Sequence, residues 1–173
     1  QKGVRNYAIK RMVQNLDLLG YSRLVLKSDQ EPAIIALKKA VRDNRNKLDI
    51  VMEESAVAEH EMNGAVETAV RQLQGMVRTI KDGLEEQLGI TVDRESCVAP
   101  WLIRHAAANM ARYQRGKDGG TPYERLKGKT FRTKVCEFGE SVHALKLASL
   151  GSDKWESRWL DGVWLGIRPE TGE

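Results

Sequence analysis

Asp29 and Glu67 are the residues whose type and setting best fit chemistry in this sequence. Asp29 follows a short apolar run, Arg23-Leu24-Val25-Leu26-Lys27-Ser28, that predicts a buried strand. It therefore lies just past a strand's C-terminal end, where α/β folds present functional side chains. Glu67 follows Asn63-Gly64 and falls in the first turn of a predicted long helix, where the helix dipole favours its anionic form. Carboxylates on a strand end and a helix can converge on hard divalent cations, which take oxygen ligands. Paired cations of that kind activate a water or hydroxyl and stabilise the leaving oxygen in phosphoryl transfer. Spacing alone does not decide the matter, because two acids 38 positions apart are more often unrelated surface groups.

The elements that must position these residues are legible as periodicity. Val4, Ala8, Met12, Leu16 and Leu19 recur at helical spacing over residues 4–19, with Gly20 as the stop. The strand before Asp29 comes next. Pro32 then opens a helix to about residue 45 with Ile34, Ile35, Leu37, Ala40 and Val41 as its apolar set, and Leu48–Met52 reads as a second strand. Helix, strand, helix, strand predicts an α/β layer with at least partly parallel strands. Residues 53–62 read as an acidic loop. A long helix runs from Asn63 to near Gly83, its apolar face marked by Val66, Ala69, Val70, Leu73, Met76, Val77 and Ile80. Residues 98–115 form another helix, and Thr121-Pro122-Tyr123 starts a short helical turn that ends at Gly128.

From residue 131 the composition shifts. Phe131, Phe138, Trp155, Trp159 and Trp164 alternate with Gly139, Gly151, Gly162 and Gly166, which predicts a small antiparallel β module with strands near Ser141–Leu147 and Gly162–Ile167. Its tryptophans are expected in the core, with base stacking as the alternative.

Charge is unevenly placed. Residues 1–48 carry a net +7, residues 49–68 a net −6 with no base at all, and residues 100–135 again a net +7, within a chain total of +4. Two basic blocks flanking an acidic stretch fit either solvated helix faces or a polyanion-binding surface around a cation site. The run Arg112, Arg115, Lys117, Arg125, Lys127, Lys129, Arg132 and Lys134 is the best candidate for sequence-independent phosphate contact. Arg71 and Arg78 on the long helix are further phosphate candidates, and Gln74 a base or sugar contact. Lys27 and Gln30 flank Asp29 and could position a nucleic acid. His60 could touch substrate, while Glu59 and Glu61 are lower-ranked carboxylates.

The 173 residues suffice for one domain, or for one domain with an appendage, and for a hydrophobic core. Hydrophobic residues at 41% and charged residues at 30% exclude a disordered composition, and no apolar run is long enough to span a membrane. Cys97 and Cys136 lack CxxC spacing and are expected to be buried reduced thiols; His60, His105 and His143 lack zinc-site spacing. The first residue, Gln1, follows neither an initiator Met nor a signal pattern, so a piece of a longer polypeptide is expected.

Four stretches in order carry a resemblance. Lys27-Ser28-Asp29-Gln30-Glu31-Pro32-Ala33-Ile34 resembles the second-aspartate motif of retroelement integrases. His60-Glu61-Met62-Asn63-Gly64-Ala65-Val66-Glu67 resembles their catalytic-glutamate motif. Asn109 in an Ala-rich helix, followed by Thr121-Pro122-Tyr123-Glu124 and Leu126-Lys127-Gly128-Lys129, resembles the downstream part of copia-type retrotransposon integrases. So do Phe138-Gly139-Glu140, Arg158-Trp159 and Gly162-Val163-Trp164-Leu165-Gly166. The Asn-Gly-x-x-Glu context and the Thr-Pro-Tyr-Glu motif argue against a resolvase or a ribonuclease H.

The resemblance implies an α/β chain with a partial RNase H-like fold, a mixed sheet flanked by helices, over residues 1–130, and a small β module over 131–173. It implies divalent-metal-dependent DNA 3′-end processing and strand transfer, with Asp29 and Glu67 as the second and third carboxylates around two Mg²⁺ or Mn²⁺ ions. Lys27, Gln30, His60, Asn63, Arg71, Gln74, Arg78, Arg112, Arg115, Lys117, Lys127 and Lys129 become the expected DNA contacts. Element-end and target DNA are the expected partners, with a homo-oligomer and no membrane or small-molecule substrate, in the nucleus or cytoplasm. The first carboxylate has no match: Asp17, the one Asp ahead of Asp29, falls within a predicted amphipathic helix. The chain alone is therefore expected to be inactive, and a nucleic-acid-binding or assembly fragment is the rival expectation.

Overall fold

The computed structural model describes residues 6–44, 49–54, 64–146, 155 and 157–167. The chain divides into two compact units, Gln1–Ala69 and Val70–Glu173. The expected boundary at 130/131 falls inside the second unit, because Phe138 and Leu165 pack with Leu84 and Leu102.

In the first unit, helix α1 (Asn6–Leu19) leads through Gly20, in the left-handed region at φ 73°, to strand β1 (Arg23–Ser28). Helix α2 (Pro32–Asp43) has Pro at its start, where the missing N–H costs nothing. Strand β2 (Asp49–Glu54) then pairs with β1 in parallel, Leu24 opposite Ile50 and Leu26 opposite Met52. This is the expected parallel α/β unit, with a helix as the crossover. Ile9, Leu16, Val41 and Ile50 form its core, with Leu24, Leu26, Leu37 and Met52 packed against them.

The expectation of a buried strand before Asp29 is corrected: β1 is covered on one face. Its residues alternate, with Leu24, Leu26 and Ser28 turned toward the core side and Arg23, Val25 and Lys27 exposed. Val25 is 55% exposed. The apolar run Leu24-Val25-Leu26 gave no sign of this, because a strand covered on one face by helices and a strand covered on both share that sequence. On the exposed face, Arg23 pairs with Asp49 at 3.2 Å and Lys27 with Glu53 at 3.0 Å, on either side of the Val25–Val51 pair.

Helix α3 (Gly64–Leu88) runs five residues past the stop expected at Gly83. Leu84 explains the overrun: it is buried with Val92, Leu102 and Phe138, and a Lys81–Glu85 ion pair at 2.6 Å spans the same turn. The helix ends instead at Gly89, with φ 64°. Its predicted apolar face holds only in the second half, where Val77 and Ile80 pack against this cluster, whereas Val66 and Val70 are exposed.

Helix α4 (Ala99–Tyr113) and the short helix α5 (Pro122–Lys127) fall where expected. A reciprocal capping box opens α5: Thr121 Oγ1 accepts from Glu124 N–H at 3.1 Å, and Glu124 Oε2 accepts from Thr121 N–H at 2.8 Å. Strands β3 (Ser141–Leu145) and β4 (Trp159–Val163) pair antiparallel, so the second strand lies earlier than the expected 162–167. Two expectations about packing are corrected here. Trp155 and Trp159 are 95% and 56% exposed, so neither is a core residue. Cys97 is exposed and Cys136 half-buried, so neither is a core thiol.

Candidate functional site

The carboxylates sit where the local sequence puts them. Pro32 drives the preceding residue out of helical backbone, and Glu31 accordingly adopts φ −62°, ψ 122° as the N-cap of α2. Asp29 occupies the bend between β1 and α2, exposed, with its Oδ1 accepting from Glu31 N–H at 3.4 Å and its carbonyl accepting from the Ser28 hydroxyl at 2.8 Å. Glu67 lies in the first turn of α3 and is exposed. His60 and Asn63, together with Glu59 and Glu61, lie outside the described residues.

Both carboxylates offer hard oxygen donors of the type Mg²⁺ and Mn²⁺ select, and among the described residues Glu67 has no hydrogen-bond or ion-pair partner. Among the described residues, no group of three or more His, Cys, Asp or Glu side chains gathers into a ligand set. Asp17 is exposed on α1 rather than at a strand end, so it does not complete the set.

Lys38 was not singled out by the sequence, yet it lies under the strand ends that carry Asp29. It is 3% exposed on α2, and its ammonium donates to the Glu53 carbonyl at 2.9 Å and to the Leu26 carbonyl at 3.4 Å. A buried cation thus ties the C-terminal ends of both strands together. Its one signal in the sequence is position: Lys38 falls on the apolar arc of α2 between Ile34 and Val41. Lys27, expected to hold nucleic acid, pairs with Glu53 across the strands. Gln30 is exposed beside Asp29.

In the second unit, Arg71, Gln74 and Arg78 are all exposed on α3, and neither arginine has an acidic partner among the described residues. It is Gln72, not Gln74, that makes the tertiary contact, accepting from Gln114 Nε2 at 2.8 Å. The basic run of residues 112–134 divides into two groups. Arg115 donates to the Gly119 carbonyl at 2.7 Å, and Arg125 binds both oxygens of Asp118, Nε to Oδ2 at 3.1 Å. Asp118 is consequently held below the usual carboxylate range, chiefly by its hydrogen bond to Arg125. These two arginines brace the 114–120 loop. Lys117, Lys127, Lys129, Arg132 and Lys134 are exposed and have no acidic partner among the described residues. Arg112 lies over the Phe131 ring, 4.6 Å from its centroid.

A groove of about 780 Å³ lies among α3, α4 and residues 135–138, lined in part by Thr79, Gln87, His105, Asn109 and Phe138. His105 is 6% exposed, and burial, aided by the Arg112 charge, pushes its pKa below the ordinary 6.5. In the sequence His105 stands out only as lacking zinc-site spacing, whereas the arc of Leu102 and Ala106 places it on the buried side of α4 beside Asn109.

No protein-family model matches the chain, and no curated protein matches it. Among the described residues, no helix is long and apolar enough to cross a membrane. The structure establishes a mixed helix–strand chain with, among the described residues, one small parallel and one small antiparallel sheet.

Proposed function

We propose that the chain is part of a copia-type retroelement integrase with an RNase H-like core, acting in divalent-metal-dependent DNA 3′-end processing and strand transfer. One observation carries this reading beyond the ordered motifs. Asp29 follows the first strand of a parallel β–α–β unit, and Glu67 lies in the first turn of the helix that comes after that unit. In the proposed reaction a water or a DNA 3′-hydroxyl attacks a phosphodiester in line. A new P–O bond forms as the bridging P–O bond breaks, and no covalent protein intermediate arises. Asp29 and Glu67 would be the oxygen ligands of Mg²⁺ or Mn²⁺. When bound, such ions supply Lewis acidity at the attacked phosphate and lower the pKa of the attacking oxygen. Arg71, Arg78 and the unpaired bases of the 112–134 run would hold DNA phosphates. The family's first carboxylate has no counterpart in Asp17, so catalysis is assigned to a polypeptide that also carries that residue. DNA partners, self-association and a nuclear or cytoplasmic location belong to the same proposal.

Titration of the isotopically labelled chain with Mn²⁺ tests the ligand assignment. Amide signals next to Asp29 and Glu67 should broaden first, and Asp29→Asn with Glu67→Gln should remove that selectivity. Broadening that ignores both substitutions would refute it.

The second reading is a nucleic-acid-binding fragment without catalysis. The observation that favours it is the set of five exposed bases, Lys117, Lys127, Lys129, Arg132 and Lys134, that lack acidic partners among the described residues. Such a surface binds phosphates without metal, and its affinity for duplex DNA should fall steeply with salt. A flat salt response would remove both readings.

A further inference from the structure

The 127–134 segment is rich in bases and has no regular structure after α5, so something must fix where those bases stand. Gly128 ends α5 in the left-handed region, with φ 66°, and turns the chain. Thr130 then donates through Oγ1 to Glu124 Oε1 at 2.8 Å, tying the segment back to α5. Phe131 completes the anchorage. Its ring meets Tyr123 edge-on at 5.3 Å and Tyr113 edge-on at 5.9 Å, with interplanar angles of 79° and 82°. Edge-to-face contacts of this kind are favourable because the positive ring edge meets the negative ring face.

The Arg112 guanidinium takes a further place around that ring, 4.6 Å from the centroid. A planar cation over an aromatic face is attracted by the ring quadrupole while its N–H edge stays open to other partners. Arg112 is half-buried and has no acidic partner among the described residues, unlike Arg125 with Asp118. Its charge is felt in the neighbourhood, since it helps to lower the His105 pKa from along α4. Arg112 also lies in the last turn of α4, where the helix dipole favours a cation.

We propose that the Arg112–Phe131 stack is the organising centre of a phosphate-binding site for the nucleic-acid backbone, with Arg112 as the ligand and Phe131 as its positioning residue. Phe131 holds the guanidinium as a rigid fork suited to bidentate phosphate contact. The inference rests on the nucleic-acid reading above and adds to it a specific residue pair and a division of labour within the basic run.

The test is fluorescence anisotropy of a labelled duplex oligonucleotide with the whole chain, over a series of salt concentrations. Arg112→Gln should weaken binding about tenfold at low salt and reduce the salt slope by about one phosphate contact. Phe131→Leu, which keeps bulk and removes the ring, should weaken it about threefold. The double variant should bind no more weakly than Arg112→Gln alone, because Phe131 acts through Arg112. A merely structural Phe131 would give losses that multiply, and that result would overturn the proposal. Phe131→Trp should restore wild-type affinity. Should Phe131→Leu fail to fold, Arg112→Lys decides: it should bind more weakly than wild type, since a point charge replaces the fork, and equal binding would overturn the proposal. Steep salt-dependent binding that is indifferent to Arg112→Gln would overturn this proposal and leave the nucleic-acid reading standing. Absence of any duplex binding by the unmodified chain would overturn both.

Discussion

Asn109 donates through Nδ2 to His105 Nε2 at 2.9 Å, one turn away on α4. An amide nitrogen can only donate, so Nε2 accepts and the ring proton belongs to Nδ1. Phe138 covers the ring at 5.3 Å between centroids, and Gly166 approaches so closely that an added Cβ would lie 3.4 Å from Nδ1. Burial first, and the Arg112 charge second, disfavour a second proton on this imidazole.

A pH dependence of stability follows. The folded-state pKa of His105 lies below its ordinary 6.5, through burial first and the Arg112 charge second. As pH falls, the unfolded chain takes up this proton before the folded chain does. The contribution of His105 is thus full above about 6.5 and is lost as pH falls through the lower folded value. Urea unfolding at about pH 7.5 and about pH 5.5 should show lower stability in acid, and His105→Gln should flatten that difference. An equal pH dependence in the variant would contradict the assignment.

Gly139 is predicted to be intolerant of any side chain. Its backbone lies at φ 90°, a region that L side chains rarely adopt, and an added Cβ would overlap the Leu84 Cδ1 methyl. Strain and overpacking act together, so Gly139→Ala should cost more than about 2 kcal/mol by urea denaturation. Leu84→Ala should recover part of the steric component in a double-mutant cycle, despite the cavity it leaves. Strict additivity of the two losses would contradict the packing explanation.

Lys38→Met removes the buried ammonium that bridges the Leu26 and Glu53 carbonyls. The apolar stem is kept, so the loss reads the hydrogen bonds: about 2 kcal/mol of stability, with faster amide exchange at the ends of β1 and β2. A change under about 0.5 kcal/mol would show that these carbonyls do not depend on Lys38.

How much of this was readable in the sequence varies by residue. Pro32, Gly20, Gly128 and the Thr121-Pro122 start of α5 act through local backbone chemistry, and each falls where the sequence places it. Gly83 misled because packing of Leu84 outweighs a glycine's modest helix penalty. Val25, Trp155 and Trp159 misled because hydrophobicity reports what can be buried, whereas exposure depends on how many faces the surrounding elements cover. The commitment of Arg115 and Arg125 to the 114–120 loop was invisible, since charge counts do not distinguish a braced arginine from a free one. For the candidate site, the positions of Asp29 and Glu67 on their elements follow from turn and capping signals. Lys38 and His105 were missed because a single polar residue on an apolar arc looks like noise until its partners are seen.

The central claim, that Asp29 and Glu67 serve metal-dependent strand transfer, is tested most directly by joining of a labelled oligonucleotide to target DNA in Mg²⁺, using the chain within a polypeptide that carries the first carboxylate. Asp29→Asn and Glu67→Gln should each lower the joining rate by at least about a thousandfold while leaving duplex affinity within about threefold of wild type. Joining at the wild-type rate in either variant would contradict the assignment of that carboxylate.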